Sequence, residues 1–456
     1  MQEKKYLKWY HKIGYGSGDI AGNCVYALLT AFMMFYLTDT IGLSMGIVST
    51  LIAASKIFDG VTDFFFGRMI DKTHTKMGKA RPWMLWPYIG CAITLVACFS
   101  IPTSWGLTAQ YIFFFLSYTL LNAVFFTANN IAYASLTALI TKNTSERVQI
   151  GSFRFIFAFA TKIVIEAVTV FAVTWLGGGV TGWRSIAIIY AVIGLITNTL
   201  SVFSVKELPE ADEEMEEERN EEHQLTFLRS FKFLLKNKYY VIICGSYILT
   251  QLYASVIGMG TYYAKYILGN EEIFSTLSLA INITMVVALT VLPIVIKKLG
   301  GMYKLNIWGY LLAVVGRLGV MVAGYMGSLP LMLAFTALAT VGIAPLQGDL
   351  NALIACCSEY TTLTTGHRLE GMMYSCSSLG IKVGGALGTA ISGWLLAAAG
   401  YIENAAVQAP SAVNMLNFLY LWMPIILCVA VAFLLVFLRV EKANEIILAE
   451  RTRSNG

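Results

Sequence analysis

Long apolar runs separated by short polar connections fill almost the whole chain. The runs lie at 13–38, 44–70, 83–102, 107–140, 149–176, 185–205, 239–267, 272–296, 303–327, 329–358, 369–400 and 411–438. A helix needs about 20 apolar residues to cross the roughly 30 Å of hydrocarbon in a bilayer. The pattern therefore predicts an all-α membrane protein with twelve transmembrane helices.

Basic residues mark one side of the predicted membrane. They cluster in five places on that side, at Lys4–Lys12, Arg68–Arg81, Lys142–Arg147, Lys297–Lys304 and Arg439–Arg453. The alternate loops are nearly free of Lys and Arg, with Arg184 as the main exception. Because basic loops stay in the cytoplasm, we expect both termini to be cytoplasmic.

One long polar segment divides the chain into halves. It covers 206–238, and acids dominate its part 207–222, which indicates a solvated linker. We expect an N-terminal six-helix bundle at 1–205, a cytoplasmic acidic linker at 206–238, a C-terminal six-helix bundle at 239–440 and a cytoplasmic tail at 441–456. Connections rich in Gly and Lys recur at 78–79 and 297–301. Similarity of this kind is typical of transporters built from repeated helix bundles, whose site lies near the middle of the membrane.

Composition excludes most other classes of protein. Of the 456 residues, 57% are hydrophobic and 13% are charged, whereas about a quarter of a soluble domain is charged. The net charge of +5 comes from residues at helix ends, so it does not indicate a nucleic-acid partner. The eight cysteines show no metal-ligand spacing, the four histidines lie in the tail or loops, and no nucleophile–base combination emerges. We therefore expect no enzymatic activity and no cofactor.

Ionisable residues inside the apolar runs are the candidate functional residues, because a charge at bilayer depth is costly. The second run carries Lys56, Asp59, Thr62 and Asp63, whose spacings of three and four residues place them on one helical face. Two carboxylates within one turn repel each other unless a proton or cation lies between them, and the Thr62 hydroxyl adds a hard oxygen ligand. We therefore predict a Na⁺ or H⁺ site at Asp59 and Asp63. The alternative is a structural ion pair between Lys56 and Asp59, which leaves Asp63 unexplained.

Polar residues in other runs are candidates for a second set of contacts. Asp19, Asn23 and Tyr26 share a face of the first run, and Asn130 follows Thr127 by three residues in the fourth. In the fifth run, Lys162 and Glu166 are four residues apart and are expected to pair. Arg154 has no such local partner and is expected to face a ligand oxygen or a carboxylate.

Two further ionisable residues lie in the second half. Lys382 stands among glycines in Gly380–Gly385, which favours an interior or cavity position. Asp349, in the tenth run, either lines the cavity or neutralises Lys382.

Several short motifs, taken in order, resemble those of the glycoside–pentoside–hexuronide:cation symporters, a branch of the major facilitator superfamily that includes the melibiose and glucuronide carriers. The motifs cover nearly the whole chain and are Lys12–Asp19, Phe35–Asp39, Phe58–Asp63, Asp71–Trp83, Asn130–Leu136, Tyr262–Tyr266, Thr365–Gly371 and Lys382–Gly385. The resemblance implies that Asp59, Asp63 and Thr127 hold a coupling cation. It also implies that Asn23, Asn130, Arg154 and Lys382 bind a sugar.

Two departures from the family pattern bear on the substrate. The melibiose carriers have aspartates where this chain has Asn23 and Asn130, whereas the glucuronide carriers resemble this chain in having asparagine at both places. The amides leave Arg154 and Lys382 as surplus positive charge, which favours an anionic uronide. A neutral glycoside is the competing substrate, because asparagine also hydrogen-bonds hydroxyl groups well.

The combined prediction is a cation-coupled symporter of a glycoside or uronide that works by alternating access. We expect a monomer in the cell membrane, with a sugar and membrane lipids as its partners. Export or exchange of a lipid-like or drug-like molecule on the same fold is the alternative, because this fold hosts many substrates.

Overall fold

The computed structural model describes residues 5–141, 143–208, 227–299, 301–365 and 370–454. The first half of the chain forms α1 (Trp9–Gly16), α2 (Gly18–Phe35), α3 (Met45–Asp71), α4 (Arg81–Cys98), α5 (Leu107–Thr119), α6 (Thr127–Leu139), α7 (Thr144–Trp175) and α8 (Gly179–Ser204). One π-helical turn, Tyr36–Thr40, extends α2, and another, Leu120–Phe126, joins α5 to α6. Residues 209–226 of the predicted acidic linker and residues 366–369 of the Thr365–Gly371 motif lie outside the described residues.

The described part of the second half is also helical. Its helices are Phe227–Lys236, Lys238–Ile257, Gly260–Tyr266, Ile273–Leu299, Met302–Tyr325, Leu329–Thr365, Glu370–Ala398, Pro410–Asn417, Met423–Val436 and Val440–Ser454, with a π-helical turn at Phe418–Trp422. Asn237 begins one of them, because its side-chain oxygen accepts the backbone N–H groups of residues 239 and 240. Asn143 begins α7 in the same way.

Eleven helical segments of the described chain are long and apolar enough to span a membrane. They coincide with eleven of the twelve apolar runs and confirm an all-helical, multi-pass membrane protein. The third run forms α4, which is not among these eleven segments and which carries Arg81 and two prolines in its N-terminal half. Large side chains such as Phe171, Ile196 and Trp308 are exposed on the spanning helices, as expected for surface that contacts lipid.

The chain packs into two compact units. The first contains Met1–Glu217, Thr261–Leu279 and Thr389–Met415, and the second contains Glu218–Gly260, Ala280–Gly388 and Leu416–Gly456. The first unit thus includes two segments that the sequence assigned to the bundle at 239–440. The physical reason is a set of long-range polar contacts, among them an ion pair between Lys265 and Asp39 at 2.6 Å.

A carboxylate side chain caps the N-terminus of one helix in each unit. In the first unit, Glu207 accepts the three backbone N–H groups of residues 79–81 at 2.6–3.0 Å, at the start of α4. In the second, Glu441 accepts the backbone N–H groups of residues 302 and 303 at 3.2 and 3.0 Å. Each carboxylate lies at the positive end of a helix dipole. The capped backbone groups lie in the two connections in which Gly and Lys recur.

Candidate functional site

The predicted acid pair lies on α3 in the first unit. Asp59 is buried, and Asp63, one turn later, is half-buried. Thr127 begins α6 and donates its hydroxyl hydrogen to the Asp59 carboxylate. The structure therefore brings together two of the residues predicted to hold a cation. Thr62 donates instead to the backbone oxygen of Asp59 at 3.1 Å, so its hydrogen is directed along its own helix.

Further oxygen atoms gather around Asp59. The Thr127 hydroxyl also lies 2.8 Å from the backbone oxygen of Asn122. That residue belongs to the π-helical turn Leu120–Phe126, and such turns are frequent at functional sites. A hydroxyl has one hydrogen, so it can satisfy one of these two acceptors at a time. The Asp59 carboxylate, the Thr127 hydroxyl and the Asn122 carbonyl are thus a local group of hard oxygens.

Lys56 lies one turn before Asp59 on α3. Its ammonium group donates to the Thr389 hydroxyl at 3.0 Å, in one of the segments that join the first unit from the second half of the chain. Thr389 could not be recognised from the sequence, because no local pattern links two residues that are 333 positions apart in the chain.

Arg154 faces a carboxylate. Its Nε donates to Oδ2 of Asp19 at 2.9 Å, and its guanidinium lies 4.1 Å from the centre of the Tyr133 ring. The Tyr133 hydroxyl donates to the same Asp19 oxygen at 2.7 Å. Lys162 and Glu166 form the pair that their spacing predicts, at 3.8 Å.

This arrangement changes the charge expected near Arg154. The carboxylate of Asp19 neutralises the guanidinium in an ion pair that is only partly exposed. Arg154 therefore does not supply the surplus positive charge on which the preference for an anionic substrate was based.

The remaining candidate residues of the first unit differ in their accessibility. Asn23 is half-buried, and its amide donates to the backbone oxygen of Asp19 at 2.9 Å. Tyr26 and Asn130 are exposed, and the Tyr26 ring stacks on Phe126 with their centres 6.4 Å apart. These two side chains are available to a ligand, whereas one of the two amide hydrogens of Asn23 is engaged by its own helix.

Lys382 belongs to the second unit, on the helix Glu370–Ala398, and is half-buried. The glycines beside it serve close packing. A Cβ atom on Gly384 would lie 2.6 Å from the backbone oxygen of Ile248, so the helix Lys238–Ile257 approaches without room for a side chain.

A second buried acid of the first unit was not selected from the sequence. Asp39 lies in the π-helical turn that extends α2, and its side chain is only 1% exposed. It accepts hydrogen bonds from Lys265, Tyr266, Thr38 and Tyr401. The Phe35–Asp39 motif contains this acid, but three of its four donors come from distant parts of the chain.

Comparison with known proteins decides the class. Residues 14–442 match the model of the family described as MFS/sugar transport protein. The chain belongs to this family. Its members are transporters, which confirms that the protein is not an enzyme and that it resides in a membrane.

Three named relatives are similar to this chain over most of its length. The isoprimeverose transporter of Lactiplantibacillus pentosus is 29% identical over 453 residues, covering 98% of this chain and 92% of the relative. The glucuronide carrier protein homolog of Escherichia coli (strain K12) is 27% identical over 413 residues, covering 89% and 87%. A protein of the same bacterium, provisionally named a glycoside/cation symporter, is 25% identical over 426 residues, covering 91% and 88%. These names confirm the resemblance drawn from the motifs.

The family fold also appears among solved structures. The crystal structure of a D-xylose-proton symporter superposes with a TM-score of 0.63 at 15% identity, covering 93% of this chain and 94% of that one. At this identity the likeness shows the fold alone.

Proposed function

We propose that the protein is a cation-coupled symporter that carries a glycoside across the membrane by alternating access. The observation that carries the proposal is the acid pair Asp59 and Asp63 on one face of α3, with the Thr127 hydroxyl bonded to Asp59. The name of the relative described as a glycoside/cation symporter supports it.

Coupling follows from the charge of this pair. Two carboxylates one turn apart repel each other, and a bound cation removes that repulsion. If the cation stabilises the arrangement that also binds the sugar, each ligand raises the affinity for the other by the same factor. Asp59, Asp63 and Thr127 would hold the ion, and Thr62 lies on the same helical face.

The coupling ion is Na⁺ or H⁺. A proton needs only one carboxylate, whereas a metal cation needs several oxygen ligands. The oxygens of Thr127 and Asn122 beside Asp59 therefore favour Na⁺.

The substrate best supported is a neutral glycoside. Asp19 neutralises Arg154, while the exposed Asn130 and Tyr26 offer an amide, a hydroxyl and a ring face to a sugar. The isoprimeverose transporter among the relatives agrees with this class of substrate. A uronide is the second candidate, favoured by Lys382, by the amides at positions 23 and 130 and by the glucuronide carrier homolog among the relatives.

The proposal includes a topology. In this topology, α4 is a twelfth spanning helix. Both termini and the linker 206–238 lie in the cytoplasm, and the transporting form is a monomer. The basic clusters at the ends of alternate apolar runs support this orientation.

Counterflow of labelled sugars into proteoliposomes tests the proposal. Isoprimeverose and a glucuronide are compared, with Na⁺ and pH varied independently. We expect exchange of the neutral sugar that is stimulated by one cation. An exchange rate that is the same with and without Na⁺ and at every pH would contradict coupling. Faster exchange of the glucuronide than of isoprimeverose would favour the second candidate.

A further inference from the structure

A buried acid of the second unit, Asp349, takes no part in the site described above. It lies on the helix Leu329–Thr365 and is 3% exposed, and Asn306 on the helix Met302–Tyr325 is 2% exposed. These helices pack closely, since a Cβ atom on Gly309 would lie 2.6 Å from the backbone oxygen of Gly342. Neither polar side chain is therefore in contact with bulk water.

The polar contact between Asp349 and Asn306 is half complete. The Asn306 amide donates to Oδ2 of Asp349 at 2.7 Å. In the part of the chain that the structure describes, Oδ1 of Asp349 and Oδ1 of Asn306 both have no hydrogen-bond partner. A buried acceptor without a donor is unfavourable, because it has lost its hydrogen bonds to water. A proton on Oδ1 of Asp349 would turn that atom into a donor, and Oδ1 of Asn306 is an acceptor without a donor.

No basic side chain among the described residues forms a salt bridge with Asp349. The charged residues on its own helix and on helices packed against it include Lys238, Lys304, Arg317, Glu359 and Glu441. Lys238 and Lys304 are exposed, and Arg317, eleven residues beyond Asn306, donates to Tyr253. Glu359 is exposed and accepts from Asn444, and Glu441 is itself an acid. An ionised Asp349 would thus be a buried negative charge without a cation.

We propose that Asp349 is a proton-binding site. The carboxyl group carries the proton on Oδ1 and donates it to Oδ1 of Asn306, while the Asn306 amide donates to Oδ2. The acid and the amide then form a ring of two hydrogen bonds, and both unpartnered oxygens are satisfied. The ligand is one proton taken from water, which converts the carboxylate to the neutral acid.

Other occupants fit less well. A metal cation needs several oxygen ligands, whereas the contact between Asp349 and Asn306 offers two unpartnered oxygens among the described residues. A water molecule would donate hydrogen bonds but would leave the negative charge buried. The proposal stands independently of the function proposed for Asp59 and Asp63, because it concerns a different unit and a different proton.

Infrared spectroscopy of the purified full-length protein in lipid, at neutral pH, tests the site. The measured signal is the carbonyl stretch of protonated carboxylic acids, which ionised carboxylates lack. We expect Asp349→Asn to remove one such band, and Glu272→Gln, at an exposed acid, to remove none. Identical carboxylic-acid bands in the wild type and Asp349→Asn would overturn the proposal.

A second variant keeps the test decisive if Asp349→Asn does not fold. Asn306→Val removes the amide and leaves the acid in place. A shift of the carboxylic-acid band in Asn306→Val supports the proposal, because the hydrogen bonds to that carbonyl group have changed. No shift in a folded Asn306→Val protein overturns it.

Discussion

The hydroxyl of Thr127 on α6 donates a hydrogen bond to the carboxylate of Asp59 on α3. The two residues are 68 positions apart in the chain, and the contact joins the helix that carries the acid pair to the helix that carries Asn130. If the group of oxygens around Asp59 holds the coupling ion, we expect the removal of one oxygen to lower the affinity for the cation more than it lowers the stability of the protein.

Thr127→Val removes that oxygen and keeps the shape of the side chain. We expect the cation concentration that half-saturates sugar counterflow to rise about tenfold, since a contact to a charged group contributes about 1.5–3 kcal/mol and 1.4 kcal/mol is a factor of ten. Thr30→Val is the matched control, because the exposed Thr30 hydroxyl donates to the backbone of its own helix. Equal cation affinity in both variants would remove Thr127 from the site.

Asp19→Asn should change the choice between substrates. The variant removes the carboxylate that pairs with Arg154, so the net charge near Tyr133 becomes more positive by one unit. We expect the affinity for a glucuronide, measured by competition in counterflow, to rise severalfold relative to a neutral glycoside.

The control for this variant is Glu166→Gln, which frees Lys162 of another ion pair on α7. That variant should leave the ratio of the two affinities unchanged. If Asp19→Asn also leaves the ratio unchanged, the Asp19–Arg154 pair does not set the charge seen by the substrate.

Gly78→Ala should destabilise the protein. Gly78 has a φ of +110°, a value that residues other than glycine rarely adopt. An added Cβ atom would also lie 2.4 Å from the Glu207 carboxyl group that caps α4. We expect a loss of about 1–3 kcal/mol, measured as a lower Tm in detergent. Gly67→Ala, where a Cβ atom meets open space, should leave Tm unchanged or raise it, and an equal fall in both variants would contradict the cap.

Lys265→Met should reduce stability through Asp39. The ion pair at 2.6 Å joins a carboxylate that is almost fully buried, so the variant leaves that charge without its cation, at a cost of about 3 kcal/mol. Lys162→Met removes a more exposed partner at 3.8 Å and should cost at most about 1 kcal/mol. Thermal unfolding of the two variants measures both losses of stability. A similar Tm for both would show that the buried charge of Asp39 does not need Lys265 as its partner.

The all-helical fold and the acid pair could be predicted because each depends on the pattern of residues that are close together in the sequence. Run length determines whether a helix spans a bilayer, and a spacing of four residues places Asp59 and Asp63 on one face of α3. The pairing of Lys162 with Glu166 followed from the same rule.

The remaining contacts could not be predicted because they depend on packing between distant segments. Arg154 and Asp19 are 135 residues apart, and nothing in either local pattern points to the other. Asn122 contributes its backbone oxygen beside Thr127 only because the chain forms a π-helical turn there. Asp39 draws donors from residues more than 200 positions away, which also explains why the two packed units do not follow the linker.

Cation-driven accumulation of sugar in proteoliposomes tests the central role of Asp59 and Asp63 most directly. Wild-type protein and the exposed-acid control Glu272→Gln should concentrate sugar when a gradient of the coupling cation is imposed. Asp59→Asn and Asp63→Asn should fail to concentrate it, because amides cannot supply the charge that captures the ion. Accumulation at the wild-type ratio by either variant would contradict the account.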